Sequence, residues 1–77
     1  DLKMSITGSY IRPLRRKYHT SQEELSQLLG VSRQTISSLE NGHSCPSLTL
    51  AYDLSKVFNC RIEDLFIFDD LAIFEED

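Results

Sequence analysis

The sequence predicts an all-α domain of five short helices, and three observations carry this prediction. Serines that can cap helices stand directly before segments whose apolar residues recur at helical spacing. Gly30 separates two such segments between Ser21 and Gly42, which is typical of a helix-turn-helix. The 77 residues are 40% hydrophobic and 26% charged, the composition of a soluble globular protein. We therefore expect residues 1–77 to form a single domain.

The first predicted helix runs from the candidate cap Ser9 to about Tyr18, with apolar residues on one side. Pro13 is tolerated only near a helix start, so this helix should begin late, near Tyr10 or Ile11. The rest of its surface is a basic cluster, which is either a phosphate-facing flank or a solvated face. The cluster consists of Arg12, Arg15, Arg16 and Lys17.

The second predicted helix begins at Ser21, because Ser21 and Glu24 have the spacing of a capping box. Gly30 ends this helix, since glycine readily takes the left-handed conformation found at helix ends. Between these ends an apolar stripe, predicted to be buried, is formed by Leu25, Leu28 and Leu29.

The third predicted helix follows the cap Ser32 and runs from Arg33 to about Asn41, with Ile36 and Leu39 to bury. Its other side is rich in hydrogen-bonding groups that suit DNA: arginine pairs with guanine, glutamine or asparagine with adenine, and serine with either. The alternative is a solvated helix without a partner, and the composition of this side alone favours that alternative. The side chains concerned are Arg33, Gln34, Ser37, Ser38 and Asn41.

The run SQEELSQLLGVSRQTISSLENG, continued by PSLTLAYDLSKVFNCRIEDLF, closely resembles the lambda repressor and Cro type of bacterial and phage helix-turn-helix regulator, the XRE-like group. The resemblance extends over residues 11–66 and is greatest to the small single-domain members. It implies a lambda-repressor-like domain that binds double-stranded DNA, and it reverses the preference for a solvated helix.

The resemblance also implies roles for individual residues. Gln22 would anchor a backbone phosphate and brace the next helix. Arg33, Gln34 and Ser38 would read bases. Ser32, Thr35 and Asn41 would contact phosphates or base edges. Ser37, on the flank of the helix beside Arg33, completes the predicted DNA-binding set.

The loop after Gly42 contains His43 and Ser44, where members of the resembled family often carry basic residues, so it should contribute less to affinity. Ser47 caps a fourth predicted helix that Asn59 closes. The predicted core of this helix is Leu48, Ala51, Leu54, Val57 and Phe58. A short fifth helix is predicted from Ile62, Leu65 and Phe66.

Both ends of the chain carry apolar residues outside the five-helix pattern. Residues 2–6 alternate as in a strand, which residues 7–9 should break. Residues 67–77 mix acids with large apolar side chains, so we expect them to cover an apolar surface. They would pair with residues 2–6 as a small β unit, form a dimer interface, or remain a frayed tail on their own subunit.

The net charge of −4 is unevenly distributed. Residues 1–45 carry six basic and four acidic side chains, whereas residues 46–77 carry two basic and eight acidic ones. The half that contains the predicted DNA-reading helix is therefore the basic half, and the acidic remainder would help to orient the protein on DNA.

Other functions find little support in the residue pattern. No apolar run approaches the ~18 residues of a membrane span, and the first residues lack the long apolar segment of a secretory signal, so we expect a cytoplasmic protein. Cys45 and Cys60 lack metal-ligand spacing and should be reduced thiols. We expect neither enzymatic activity nor a metal nor a cofactor.

The sequence thus predicts a homodimeric transcriptional regulator, more specifically a repressor, that binds an inverted-repeat operator in the major groove. One alternative is an antitoxin that binds DNA and uses its acidic apolar tail to bind a protein toxin. A second alternative is a protein-interaction module that has lost DNA binding, against which Gln22, Arg33 and Gln34 argue.

Overall fold

The computed structural model describes residues 5–69, which form four α-helices, one 3-10 turn and a two-stranded sheet. The strands are β1 (Ser5–Ser9) and β2 (Phe66–Asp69), and the 3-10 turn spans Ile62–Asp64. The helices are α1 (Ile11–Lys17), α2 (Gln22–Leu29), α3 (Arg33–Glu40) and α4 (Leu48–Val57). Within these residues no helix is long and apolar enough to cross a membrane.

Three of the four helices begin at the serines that the sequence indicates. Ser21 and Glu24 form a complete capping box at α2, with Ser21 Oγ accepting from the Glu24 backbone N–H. Ser32 and Ser47 cap α3 and α4 through their side chains alone, which accept from the backbone N–H groups of Thr35 and Leu50. These predictions are confirmed. The sequence could make them because a helix cap depends only on residues within one turn of it.

The first helix starts at Ile11, as Pro13 predicts. Its N-cap is Tyr10 rather than Ser9, although Ser9 Oγ accepts a 3.4 Å hydrogen bond from the Ile11 backbone N–H. Tyr10 instead donates its own backbone N–H to the Leu65 carbonyl at 2.8 Å. That bond ties the start of α1 to the end of the domain.

The helix-turn-helix is formed by α2, the turn of residues 30–32, and α3. Gly30 has φ +71°, the left-handed conformation that ends α2 without a Cβ penalty. The two helices enclose one core with α1, α4 and the start of β2. Its buried apolar residues are Ile11, Leu25, Ile36, Leu39, Ala51, Leu54, Phe58, Leu65 and Phe66.

The predicted fifth helix is wrong. Residues Ile62–Asp64 make one 3-10 turn, and Phe66 then begins β2 instead of continuing a helix. Pairing with β1 is the reason, because the antiparallel ladder uses the backbone groups that a longer helix would need. The end of α4 is as predicted, because Asn59 takes the left-handed conformation, with φ +52°, just after this helix.

The small β pairing between the two ends of the domain is confirmed, with a different extent. The pairs are Ser5 with Asp69, Ile6 with Phe68, Gly8 with Ile67 and Ser9 with Phe66, so residues 7–9 continue the strand that they were expected to break. A bulge between Ile6 and Gly8 accommodates Thr7. The predicted strand residues 2–4 and the predicted covering segment 70–77 lie outside the described residues.

Two predicted core leucines are not in the core. Leu28 is 67% exposed and Leu48 is 79% exposed, although both lie at helical spacing from buried residues. Ser26 takes the buried place on α2 and donates its hydroxyl to the Glu23 carbonyl at 2.7 Å. Helical spacing predicts which side of a helix a residue lies on, but not whether another element packs against that part of the helix. The prediction that both leucines are buried is wrong for this reason.

Candidate nucleic-acid interface

Two completely buried side chains on one side of α3 determine which side of this helix faces outward. Ile36 and Leu39 are in the core, so the opposite side of this helix must face away from the domain. At its start, Ser32 Oγ accepts from the Thr35 backbone N–H at 3.1 Å and lies 2.9 Å from the Thr35 hydroxyl. The helix therefore presents its first turn in a defined orientation.

Gln22 connects α2 to both ends of α3. Its side-chain carbonyl accepts a 3.1 Å hydrogen bond from Arg33 Nη1, and its Nε2 donates to Glu40 Oε1 at 3.0 Å. Arg33 is the first residue of α3 and Glu40 is the last. The half-buried Gln22 amide thus restrains both the rotation of α3 about its own axis and its position along that axis.

Glu40 is the centre of a polar network beneath this face. Its side chain is 1% exposed and accepts hydrogen bonds from Arg12, Arg15 and Gln22. Arg15 makes two of these contacts, through Nε and, at 3.3 Å, through Nη2, and its side chain is 14% exposed. Arg15 Nη1 also donates to the Thr20 carbonyl at 3.0 Å, which connects the network to the α1–α2 turn.

The network keeps Glu40 charged. Burial alone would raise the pKa of this carboxyl, but the hydrogen bonds from Arg15, Gln22 and Arg12 and the positive charge of Arg15 outweigh burial. The net result is a pKa below the ordinary value of 4.5. At neutral pH the network is therefore a closed ion pair, and no buried side-chain nitrogen or oxygen of residues 5–69 lacks a hydrogen-bond partner.

A shallow groove of about 340 Å³ runs between α3 and the loop that leads into α4. Gln34, Thr35 and Ser38 line one side, and residues 44–47 line the other. The other predicted DNA-binding residues are not among the described residues that line this groove, namely Gln22, Ser32, Arg33, Ser37 and Asn41. We call the outward side of α3 together with this groove the reading face.

The predicted set therefore divides by location. Arg33, Gln34 and Asn41 are exposed, whereas Thr35, Ser37 and Ser38 are half-buried. Ser32 is the exposed cap of α3, and Gln22 lies at the edge of the reading face. The hydrogen bonds by which Gln22 would brace the next helix, as the family resemblance implied, are present.

Sequence reasoning missed Glu40 and the part that Arg15 plays. It placed Arg15 in a basic cluster that was either phosphate-facing or solvated, and the structure shows it bonded to Glu40. The sequence did contain one signal of this network, which is the spacing of Arg12 and Arg15. Residues three apart lie on the same side of α1 and can meet one carboxylate. Which carboxylate they meet depends on how α1 packs against α3, which no local pattern specifies.

Fold and site together define a small helix-turn-helix domain with a polar, rigidly held second helix. The sequence profile of the helix-turn-helix family matches residues 11–65, which includes every helix of the structure. The chain therefore belongs to this family, and its resemblance to XRE-like regulators is confirmed.

Curated relatives agree with this membership. An HTH-type transcriptional regulator of Archaeoglobus fulgidus is 60% identical over 60 residues, covering 78% of this chain and 86% of the relative. A second regulator of that organism is 48% identical over 66 residues, covering 86% and 93% respectively. A regulator of Methanocaldococcus jannaschii is 48% identical over 56 residues, covering 73% and 85%. None of these names supports the antitoxin alternative.

Proposed function

We propose that this protein is a homodimeric transcriptional repressor that binds a specific inverted-repeat sequence in double-stranded DNA. The observation that carries the proposal is the Gln22 bridge, which fixes the polar outward side of α3 at both ends. A solvated helix without a partner has no need of such a brace. A helix that reads base edges needs one, because hydrogen-bond readout tolerates little misplacement.

Arg33, Gln34 and Ser38 are the proposed base readers. Arg33 and Gln34 are exposed in the first turn of α3, the part that enters the major groove first in helix-turn-helix proteins. The hydrogen bond from Arg33 to Gln22 uses a single N–H of the guanidinium and orients the rest of that planar group. A guanine with its O6 and N7 acceptors is the ligand that suits this group best.

The remaining predicted residues are proposed to position the protein on the sugar-phosphate backbone. Gln22, Ser32 and Thr35 surround the start of α3, where backbone N–H groups and the helix dipole favour a phosphate. Ser37 and Asn41 lie further along the helix. Contacts of this kind set register and add affinity but carry no sequence information themselves.

Two copies are proposed because one reading helix addresses only a few base pairs. A two-fold pair doubles the sequence read and places two reading helices about 34 Å apart on one side of the duplex. The proposed mode of repression is occupancy, in which the bound dimer covers promoter DNA that the transcription machinery needs.

Selection of bound sequences from a randomised duplex pool, at near-physiological salt, tests the proposal. We expect enrichment of an inverted repeat whose half-sites are about one helical turn apart. The matched control is the double variant Arg33→Ala, Gln34→Ala, which alters two exposed side chains and should enrich nothing beyond random sequence. If the wild-type protein also enriches nothing, DNA reading is not its independent function.

A further inference from the structure

We propose that the apolar groove beside α4 is the surface through which two copies of this chain form the dimer. The proposal deepens the function proposed above and rests on it for the role of the dimer. The groove has a volume of about 600 Å³. Its apolar lining consists of Ile6, Leu48, Ala51, Ile62, Phe66 and Phe68, with residues 42–47 along one rim.

The shape of this surface favours a second copy as its occupant. Leu48, 79% exposed in the first turn of α4, projects at the edge of the groove, whose floor includes the buried residues Ala51 and Phe66. A projecting side chain and a cavity on one face are self-complementary, so a two-fold axis allows the Leu48 of each copy to enter the groove of the other. In a two-fold interface each copy contributes both features, the projecting leucine and the groove that receives the leucine of its partner.

Charge favours the same occupant. The whole chain carries a net charge of −4, so two copies repel each other, and an uncharged contact surface adds no further repulsion between them. Of the described residues that line the groove, none is Asp, Glu, Lys or Arg. A basic or acidic partner would find no charge complementarity there.

The position of the groove also suits DNA recognition. Residues 44–47 line both the apolar groove and the shallow groove of the reading face. A partner seated on α4 therefore lies next to the reading face without covering the outward residues Arg33 and Gln34, which the groove does not include. Two reading faces brought together in this way are symmetric, as an inverted repeat requires.

The experiment is sedimentation equilibrium of the full chain and of two single variants, Leu48→Glu and Leu28→Glu. Both leucines are exposed helix residues, so neither substitution should unfold the monomer, and circular dichroism checks this. Leu28 lies by His19, Thr20 and Gln27, away from the groove, and serves as the matched control. We expect the wild type and Leu28→Glu to be dimers, and Leu48→Glu to dissociate at least about a hundredfold more readily because it places a carboxylate in an apolar interface.

Failure of the interface and failure of the function are distinguishable. A Leu48→Glu protein that remains as dimeric as Leu28→Glu overturns the interface, and so does a wild type that is monomeric throughout the accessible concentrations. If the wild type dimerises through Leu48 but selects no DNA sequence, the interface stands and the proposed function is wrong.

Discussion

The side-chain carbonyl of Gln22 accepts a hydrogen bond from Arg33 Nη1 at 3.1 Å, joining the first residue of α2 to the first residue of α3. The same amide donates to Glu40 at the far end of α3. Gln22 should therefore act on DNA binding in two ways, through the phosphate contact proposed for it and through its hold on α3.

Replacing Gln22 with alanine should weaken binding to all DNA sequences, and more evenly than replacing Arg33 does. We expect Gln22→Ala to cost about 1 kcal/mol on random DNA, because the proposed phosphate contact carries no sequence information, and somewhat more on the selected operator, because Arg33 loses its brace. Gln27→Ala is the control, since Gln27 is an exposed residue of the same helix whose amide contacts only Glu23 at 3.4 Å among the described residues. Fluorescence anisotropy titrations measure both, and a loss confined to the operator would contradict the backbone assignment.

Replacing Arg33 should have the opposite pattern. Arg33→Ala is expected to cost roughly 1 to 3 kcal/mol on the operator and to relax specificity at one base pair, because it removes the proposed base contact. Arg61→Ala controls for the loss of a positive charge, since Arg61 is exposed and pairs with Asp64 outside the reading face. Equal losses on operator and random DNA for Arg33→Ala would show that Arg33 contacts only phosphate.

The buried carboxylate of Glu40 should be important for stability. Glu40→Gln removes the charge that neutralises Arg15, whose side chain is only 14% exposed, and we expect the free energy of unfolding to fall by about 2 to 4 kcal/mol. Glu63→Gln, at an exposed position of the 3-10 turn, should change it by less than about 0.5 kcal/mol. Urea unfolding measures both, and equal midpoints for the two variants would mean that the network contributes nothing.

The contribution of Glu40 should also depend on pH. Burial opposes ionisation, but the bonds from Arg15, Gln22 and Arg12 dominate, so the folded-state pKa lies below the unfolded value of about 4.5. A lowered pKa gives stability that is complete above pH 4.5 and is lost as pH falls through the folded-state pKa. The difference in unfolding free energy between wild type and Glu40→Gln should therefore narrow below pH 4.5.

That comparison removes the effect of other carboxylates. Hydrogen bonds from Arg61 lower the pKa of Asp64 as well, but this effect is the same in both proteins and cancels in the difference. A difference that stays constant from pH 7 to pH 3 would show that Glu40 is not responsible for acid destabilisation.

Most parts of the fold that the sequence predicted depend on neighbouring residues, and the β pairing between the two ends of the domain is the exception. Ser21, Ser32 and Ser47 cap their helices because a side chain and a backbone N–H within one turn suffice. The late start of α1 follows from Pro13 alone.

The parts that the sequence did not predict depend on distant contacts. The sequence around Phe66 predicts a helix, but Phe66 lies in a strand and pairs with Ser9, far away in the chain. Glu40 meets Arg15 only because α1 packs near α3. Leu48 has the spacing of a core residue, and only the packing shows that it projects from the domain.

The measurement that tests base reading by α3 most directly combines an altered guanine with an altered Arg33. Replacing a guanine of the selected half-site by 7-deazaguanine removes its N7 acceptor in the major groove while leaving base pairing unchanged. We expect wild-type affinity to fall about tenfold at one guanine, and Arg33→Ala to lose nothing further from the same replacement. An Arg33→Ala protein that is as sensitive as the wild type at every guanine would contradict the account, because Arg33 would then not be the residue that reads that base.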